Sequence, residues 1–147
     1  MKPEVIYLAS DHAGFPIKEK CRQKLAEMGF TTEDLGPTTE DRVDYPDFAD
    51  KVCQQVKANP THQGLLICGS GQGMAMRANK YKEIRAALCW TKESAELSRQ
   101  HNDANILCVG ARLLEESNIL EILETFFNTE FEGGRHQNRV EKISSPI

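Results

Sequence analysis

No apolar run in this 147-residue sequence approaches the ~18 residues that a membrane-spanning helix needs. Met1 is not followed by a basic stretch that leads into a long apolar core, so we expect no secretion signal. The five cysteines lie far apart, form no C-x-x-C pair and are odd in number, which argues against both a disulfide framework and a zinc site. We therefore expect a cytoplasmic protein with reduced thiols, no zinc site and no membrane partner.

An excess of positive charge is also lacking. The formal net charge is −4 at pH 7 and the pI is near 5.6, so the surface as a whole does not attract nucleic acid. Any anion site must therefore be made by a few local basic residues. The sequence has no internal repeat, low-complexity stretch or linker, and we predict that residues 1–147 form a single domain.

One segment combines a reactive side chain with closely spaced glycines. The apolar run 65–67 leads into Cys68 and then into the loop Gly69, Ser70, Gly71, Gln72 and Gly73. Such glycines let the backbone approach a ligand with its N–H groups turned inward, which suits an anion or a developing oxyanion, and a following helix favours a thiolate. The alternative is structural, since strand-to-helix turns carry glycine for steric reasons and cysteine is often a small buried apolar residue.

The spacing of this loop excludes several known motifs. Met74 stands where a dinucleotide fingerprint needs its third glycine, so no Rossmann cofactor is expected. A phosphate loop ending in G-K-[ST] is absent. The G-x-S-x-G elbow fails because Cys68 and Gln72 flank Ser70 at the glycine positions. Met74 also replaces the arginine that a cysteine-dependent phosphatase would use to bind phosphate.

The rest of the chain alternates short β-rich runs with helical patterns. We predict strands over 5–9, 31–35, 64–68, 85–89 and 106–109. Five helices are predicted: one ending at Gly29, one from Pro46, one after the glycine loop to about Asn79, one between Thr91 and His101, and one through 119–127. The segment 37–44 and the tail after Asn128 look irregular. This alternation indicates a parallel sheet covered by helices on both faces, with ligands at the carboxyl ends of its strands.

That rule groups side chains from distant parts of the sequence. Asp11 and His12 follow the first predicted strand and Cys68 ends the third, so they can meet. If the segment around them were helical, Arg135 and Arg139 would lie on one face, where a bound dianion would convert their repulsion into attraction. The simpler alternatives are a local hydrogen bond for the aspartate–histidine pair and a solvated basic turn for the two arginines.

Seven short motifs, read together, resemble one family over nearly the whole chain. They are Asp11-His12-x-Gly14, Asp44-Tyr45-Pro46, Cys68-Gly69-Ser70-Gly71-x-Gly73, Ala78-Asn79-Lys80, Ile84-Arg85-Ala86, Ser98-Arg99-Gln100-His101-Asn102 and Gly133-Gly134-Arg135-His136-x-x-Arg139. In this order they are similar to the type B ribose-5-phosphate isomerases, within the wider group that contains galactose-6-phosphate isomerase subunits. The resemblance implies a Rossmann-like three-layer α/β/α sandwich, in agreement with the five-stranded parallel sheet predicted above.

The resemblance also implies catalytic roles. Cys68 is the base that moves a proton between C2 and C1 of the sugar, and His101 is the acid that helps to open the furanose ring. Some relatives have serine in place of this cysteine and supply a glutamate from the loop instead. Here Met74 and Ala75 follow the last glycine, so no carboxylate competes with Cys68 for the role of base.

Further roles concern the substrate. Asp11 and His12 contact the ring oxygens or hydroxyls, Asn102 binds the sugar and Tyr45 lines the pocket. Ser70 hydrogen-bonds near the thiolate. The enediolate is held by the backbone of Gly69, Ser70, Gly71, Gln72 and Gly73. The phosphate is bound by Arg112, Arg135 and Arg139.

The activity that the resemblance implies is the interconversion of D-ribose 5-phosphate and D-ribulose 5-phosphate in the non-oxidative pentose phosphate pathway, without metal or organic cofactor. It further implies a homodimer whose active sites are completed across the subunit interface, and it leaves open whether two dimers pair into a tetramer. Two alternatives stay open. One is an isomerase of a six-carbon sugar phosphate, such as allose or galactose 6-phosphate, and the other is a phosphosugar-binding module without catalysis.

Overall fold

The computed structural model describes residues 2–147, in which strands and helices alternate. In chain order the elements are β1 (Ile6–Ser10), α1 (Phe15–Glu27), β2 (Thr32–Asp34), α2 (Tyr45–Ala58), β3 (Gln63–Cys68), α3 (Gln72–Ala78), β4 (Ala86–Leu88), α4 (Lys92–Gln100), β5 (Ile106–Gly110), α5 (Glu116–Asn128) and α6 (Arg135–Ile143). Within this range no helix is both long and apolar enough to cross a membrane.

The five strands form one sheet in the order β2-β1-β3-β5-β4, and every neighbouring pair is parallel. The central strands β1, β3 and β5 are almost entirely buried because both faces of the sheet are covered. One face packs against α1, α4 and α5, and the other packs against α2 and α3. The predicted three-layer α/β/α sandwich with a five-stranded parallel sheet is therefore confirmed.

Local signals fixed several of the predicted boundaries. Gly29 has a φ of +89° and follows α1, as the helix-stop prediction requires. The side chain of Thr91 caps α4 by accepting a hydrogen bond from Ser94 N at 3.0 Å. No predicted strand differs from the observed one by more than one residue at either end.

The prediction of an irregular tail after Asn128 was wrong, because α6 occupies residues Arg135–Ile143. Its inner face is narrow: His136 and Val140, four positions apart, are its buried residues, and the positions between them are polar and exposed. The i, i+4 spacing of these two residues was the one pattern in the sequence that could have indicated the helix. Because the residues around them are mostly polar or charged, the segment was predicted to be irregular.

The strand order creates a crevice beside two adjacent strands. β1 pairs with β2 on one side and with β3 on the other, and the connecting helices α1 and α2 lie on opposite faces of the sheet. At such a switch point the chain leaves the carboxyl ends of the two strands uncovered. Asp11 follows the end of β1, and Cys68 is the last residue of β3.

Candidate active site

The Cys68 thiol is held inside the glycine loop. It is 5% exposed, and its Sγ accepts a hydrogen bond from the backbone N–H of Gly71 at 3.2 Å. Gly71 reaches this position with a left-handed φ of +79° at the start of α3. The loop therefore aims a backbone N–H donor directly at the sulfur, which is the close backbone approach that glycine permits.

Gly71→Ala is expected to cost more stability than Gly29→Ala. Both glycines have positive φ, +79° and +89°, a region that costs an alanine about 1–2 kcal/mol. A Cβ at Gly71 would also lie 2.6 Å from Leu88 Cδ1 and 2.9 Å from the carbonyl carbon of Val109, whereas no described atom lies within 4 Å of one at Gly29. Such crowding adds ~1–3 kcal/mol. Urea unfolding of both variants measures the difference, and equal losses would mean that the loop relaxes freely.

Asp11 joins the site through a turn after β1. Its carboxylate Oδ1 accepts from Gly14 N at 3.0 Å, and its own N–H donates to Ile67 O in β3 at 3.1 Å. These bonds hold the carboxylate, which is 6% exposed, against the strand that carries Cys68. The acid and the thiol therefore lie at the same edge of the sheet.

Seven of the predicted residues line one cavity of about 360 Å³. They are Asp11, Tyr45, Cys68, Gly69, Ser70, Gly73 and Arg112. Arg112 is exposed and follows β5, and its backbone N–H donates to Gly69 O at 3.0 Å. Leu113, which the sequence did not suggest, also lines the cavity although it is 68% exposed. A guanidinium thus stands at the mouth of a pocket that holds a thiol and a carboxylate.

The tyrosine ring closes one side of this pocket. Tyr45 begins α2, and its ring lies so close over Gly73 that any side chain at the glycine position would collide with it. Gly73 is therefore required for close packing of the ring on the loop. The glycine and Tyr45 together form one wall of the cavity.

Two predicted residues, His12 and Gln72, lie beside the cavity, and Ser70 in its lining makes a hydrogen bond of its own. His12 Nδ1 accepts from Val43 N at 3.4 Å, which ties the histidine to the segment before α2. Ser70 Oγ accepts from Gln72 N at 3.4 Å, so in this structure the hydrogen bond to the Cys68 sulfur comes from Gly71. Gln72 is exposed and lines a neighbouring cavity instead.

Four other predicted residues are not brought to this cavity. His101 and Asn102 follow α4, and Arg135 and Arg139 lie on the exposed face of α6. Among residues 2–147, the lining of the Cys68 cavity includes none of these four. The fold therefore divides the predicted site into two groups within one chain.

An exposed apolar groove runs between the two groups. A cavity of about 200 Å³ is lined by Ser70, Trp90 and Leu113, and the next one, of about 580 Å³, is lined by Trp90, Leu97 and Asn102. Trp90 is 63% exposed and Leu97 is 40% exposed. A continuous apolar surface of this kind is typical of a contact with another protein.

The second group contains a cluster of metal-binding residue types. One donor atom each from His101, Glu132 and His136 lies within 4.8 Å of the others. The two rings, however, are stacked with centroids 4.2 Å apart and planes 15° from parallel. A metal ion binds in the plane of each imidazole, so two parallel offset rings do not suit one ion. Burial, the nearby His101 and Arg135 lower the pKa of His136, which favours its neutral form.

Known proteins are similar to this chain in both sequence and fold. The ribose/galactose isomerase family matches residues 6–143. The probable ribose-5-phosphate isomerase B of Mycoplasma pneumoniae is 45% identical over 139 residues, which is 94% of this chain and 91% of that protein. The ribose-5-phosphate isomerase B of Escherichia coli is 40% identical over 140 residues, 95% of this chain and 94% of that one.

Solved structures agree with the sequence comparison. A ribose 5-phosphate isomerase from Thermotoga maritima superposes with a TM-score of 0.91 and 46% identity, covering 95% of this chain and 97% of that one. The ribose-5-phosphate isomerase B of Mycoplasma genitalium, solved with bound ribulose-5-phosphate, gives a TM-score of 0.93 at 44% identity, covering 95% and 93%.

Proposed function

This chain belongs to the ribose/galactose isomerase family, and we propose that it interconverts D-ribose 5-phosphate and D-ribulose 5-phosphate through an enediolate. The observation that carries the proposal is the position of the Cys68 thiol. Its sulfur accepts a hydrogen bond from the backbone N–H of Gly71, in a pocket that Asp11 and Arg112 also line. The relative from Mycoplasma genitalium, solved with ribulose-5-phosphate, supports the choice of substrate.

The chemistry of the reaction fits this pocket. Isomerisation removes a proton from the carbon next to a carbonyl, so negative charge collects on oxygen while the base takes the proton. Cys68 is the proposed base, and backbone N–H groups of the loop 69–73 stabilise the oxygen charge. One well-placed donor of this kind is worth ~2.7–4 kcal/mol in the transition state. Asp11 and His12 hold the ring oxygens or hydroxyls. Neither a metal nor an organic cofactor is part of this proposal.

The remaining half of the site is proposed to come from a second copy of the chain. His101, Asn102, Arg135 and Arg139 lie outside the Cys68 cavity, yet ring opening needs an acid and the phosphate needs cations. The apolar groove joins Ser70 at one end to Asn102 at the other. In a two-fold dimer each surface patch meets its own copy, so such a groove brings the partner's Asn102 towards Cys68. The proposed assembly is this homodimer, which can pair further into a tetramer.

Replacing Arg135 or Arg139 with alanine is expected to weaken binding of the phosphorylated sugar. A charge-assisted contact is worth ~1.5–3 kcal/mol, or about 10- to 150-fold in KM. Inorganic phosphate should inhibit the wild type and should inhibit these variants less. Arg22→Ala, which removes an exposed arginine paired with Glu19 on α1, is the control and should leave inhibition unchanged. Equal phosphate inhibition in every variant would place the anion site elsewhere.

Substrate choice is tested by comparing three sugar phosphates. The proposal predicts a higher kcat/KM for ribose 5-phosphate than for allose 6-phosphate or galactose 6-phosphate. Faster turnover of a six-carbon sugar would assign the protein to the other branch of its family. Binding of all three without any turnover would identify a phosphosugar-binding module.

The proposal treats residues 1–147 as one sugar-phosphate isomerase domain that acts in the cytoplasm. A single sheet covered on both faces supports one domain. All five cysteines are free and buried, in agreement with a reducing compartment.

A further inference from the structure

The turn that presents His101 and Asn102 contains an unusual backbone conformation. Asp103 has a φ of +47°, although it is not a glycine. Such a conformation costs of order 1–3 kcal/mol and persists only where surrounding contacts impose it. Asp103 follows directly after the two residues proposed for acid catalysis and sugar binding, so whatever holds it also sets their position.

Two arginines hold the Asp103 side chain. Arg99 Nη1 donates to Asp103 Oδ1 at 2.9 Å, and Arg85 Nη2 lies 3.5 Å from Asp103 Oδ2. The side chains of Arg99 and Arg85 are 6% and 18% exposed. The carboxylate therefore lies between two largely buried guanidiniums and is the counter-charge that both of them share.

Arg85 also binds the backbone of the turn. Its Nε donates to Asn102 O at 3.1 Å and to Asp103 O at 3.0 Å. Its Nη1 donates to Ser144 Oγ at 3.2 Å, at the end of α6. One guanidinium thus connects the turn after α4 to the helix that carries Arg135 and Arg139.

We propose that Arg85, Arg99 and Asp103 are positioning residues that hold His101 and Asn102 in the geometry needed to open the furanose ring. None of the three is proposed to touch the substrate. This inference rests on the proposed function, in which His101 supplies the proton for ring opening. A lysine at position 85 would keep the charge but lose the planar fork that reaches two carbonyls, a carboxylate and a hydroxyl together.

Comparing the two sugars distinguishes a defect in ring opening by His101 from a defect in removal of the carbon-bound proton. Ribose 5-phosphate closes a furanose ring between C1 and the C4 hydroxyl, so the enzyme must open it. In ribulose 5-phosphate a furanose ring would have to close between the C2 ketone and the C5 hydroxyl. Because the C5 hydroxyl is esterified by phosphate, this sugar stays open. Exchange of its C1 proton with solvent deuterium therefore needs the base Cys68 but no ring opening.

The test compares Arg85→Lys and Asp103→Asn with wild type in both reactions. Asparagine tolerates positive φ, so Asp103→Asn removes the charge without adding backbone strain. Conversion of ribose 5-phosphate should fall about 10- to 100-fold, the effect of a displacement near 1 Å. Deuterium exchange into saturating ribulose 5-phosphate should change less than about threefold. Arg77→Lys is the control: Arg77 makes a similar fork on Asp50, at 2.8 and 2.9 Å, and both reactions should stay unchanged.

Parallel losses of conversion and exchange in Arg85→Lys and Asp103→Asn would overturn the inference, since they indicate a purely structural role. Unchanged conversion in both variants would overturn it as well. If neither variant folds, Ser144→Ala removes one hydrogen bond of Arg85 and should lower conversion about two- to tenfold while sparing exchange; equal effects on both reactions would again contradict the inference. Wild-type protein that catalyses neither reaction would instead refute the proposed function itself.

Discussion

Cys68→Ala protein is expected to fold and to lose both isomerisation and proton exchange. The sulfur is the proposed base, held by the Gly71 N–H at the end of β3, and a positioned base contributes typically ~10²–10⁴-fold to the rate. Nuclear magnetic resonance in deuterated water follows both the conversion of ribose 5-phosphate and the appearance of deuterium in ribulose 5-phosphate. Both signals should fall together, because the same proton is moved in each reaction.

Cys53→Ala is the matched control for this substitution. Cys53 is also a buried free thiol, but it lies on α2 within the core. Its removal should leave both reactions nearly unchanged. Substantial exchange in Cys68→Ala protein that is folded by circular dichroism would mean that another group is the base.

Alkylation tests the role of Cys68 in the protein without a substitution. Burial raises the pKa of Cys21 and Cys53 to about 12 and that of Cys89 to about 11, and it raises the pKa of Cys108 well above the usual range. These four thiols are therefore protonated and unreactive near pH 8. Iodoacetamide should inactivate the enzyme through Cys68, and substrate should protect it. Inactivation that follows labelling of another cysteine by mass spectrometry would contradict this assignment.

A mixture of Cys68→Ala and His101→Ala chains, unfolded and refolded together, is expected to regain activity that neither has alone. In the proposed assembly each homodimer carries the same defect in both pockets, whereas a mixed dimer has one pocket with neither defect. Random pairing makes about half of the dimers mixed, with one of two pockets intact, so roughly a quarter of wild-type activity should return. Activity is assayed on dimers isolated by ultracentrifugation.

The control for this experiment replaces the His101→Ala chain with a Cys68→Ala, His101→Ala double variant. Every pocket of that mixture lacks Cys68, so no activity should return. If the first mixture also stays inactive although dimers form, then His101 acts within its own chain and the proposed shared site is wrong.

The strands and the first five helices were predictable because each carries a local signal. Buried parallel strands read as short apolar runs, Gly29 and Thr91 mark helix ends, and the βα alternation fixes a parallel sheet. The helix α6 was not predicted because its buried face is limited to His136 and Val140. Periodicity is a weak guide where only two residues repeat.

The site was predictable to the extent that topology decides it. Asp11 and Cys68 end neighbouring strands, so their meeting follows from the parallel sheet. The separation of His101 from Cys68 follows from the same topology, because α4 returns the chain from the carboxyl end of β4 to the amino end of β5 and so leaves His101 at the opposite edge of the sheet. The contacts of Asp103 with Arg85 and Arg99 are tertiary, and the chain positions give no sign that one carboxylate lies between two buried guanidiniums.

Incubation of the wild-type protein with ribose 5-phosphate in deuterated water tests the proposed function most directly. Proton transfer through an enediolate predicts that ribulose 5-phosphate forms and that it carries solvent deuterium at C1, because the base exchanges its proton with solvent before returning it. The absence of ribulose 5-phosphate would refute the assigned activity. Product that forms without any deuterium at C1 would contradict the role of Cys68 as an exchanging base, since it requires either transfer of hydride between the two carbons or return of the same proton by a base shielded from solvent.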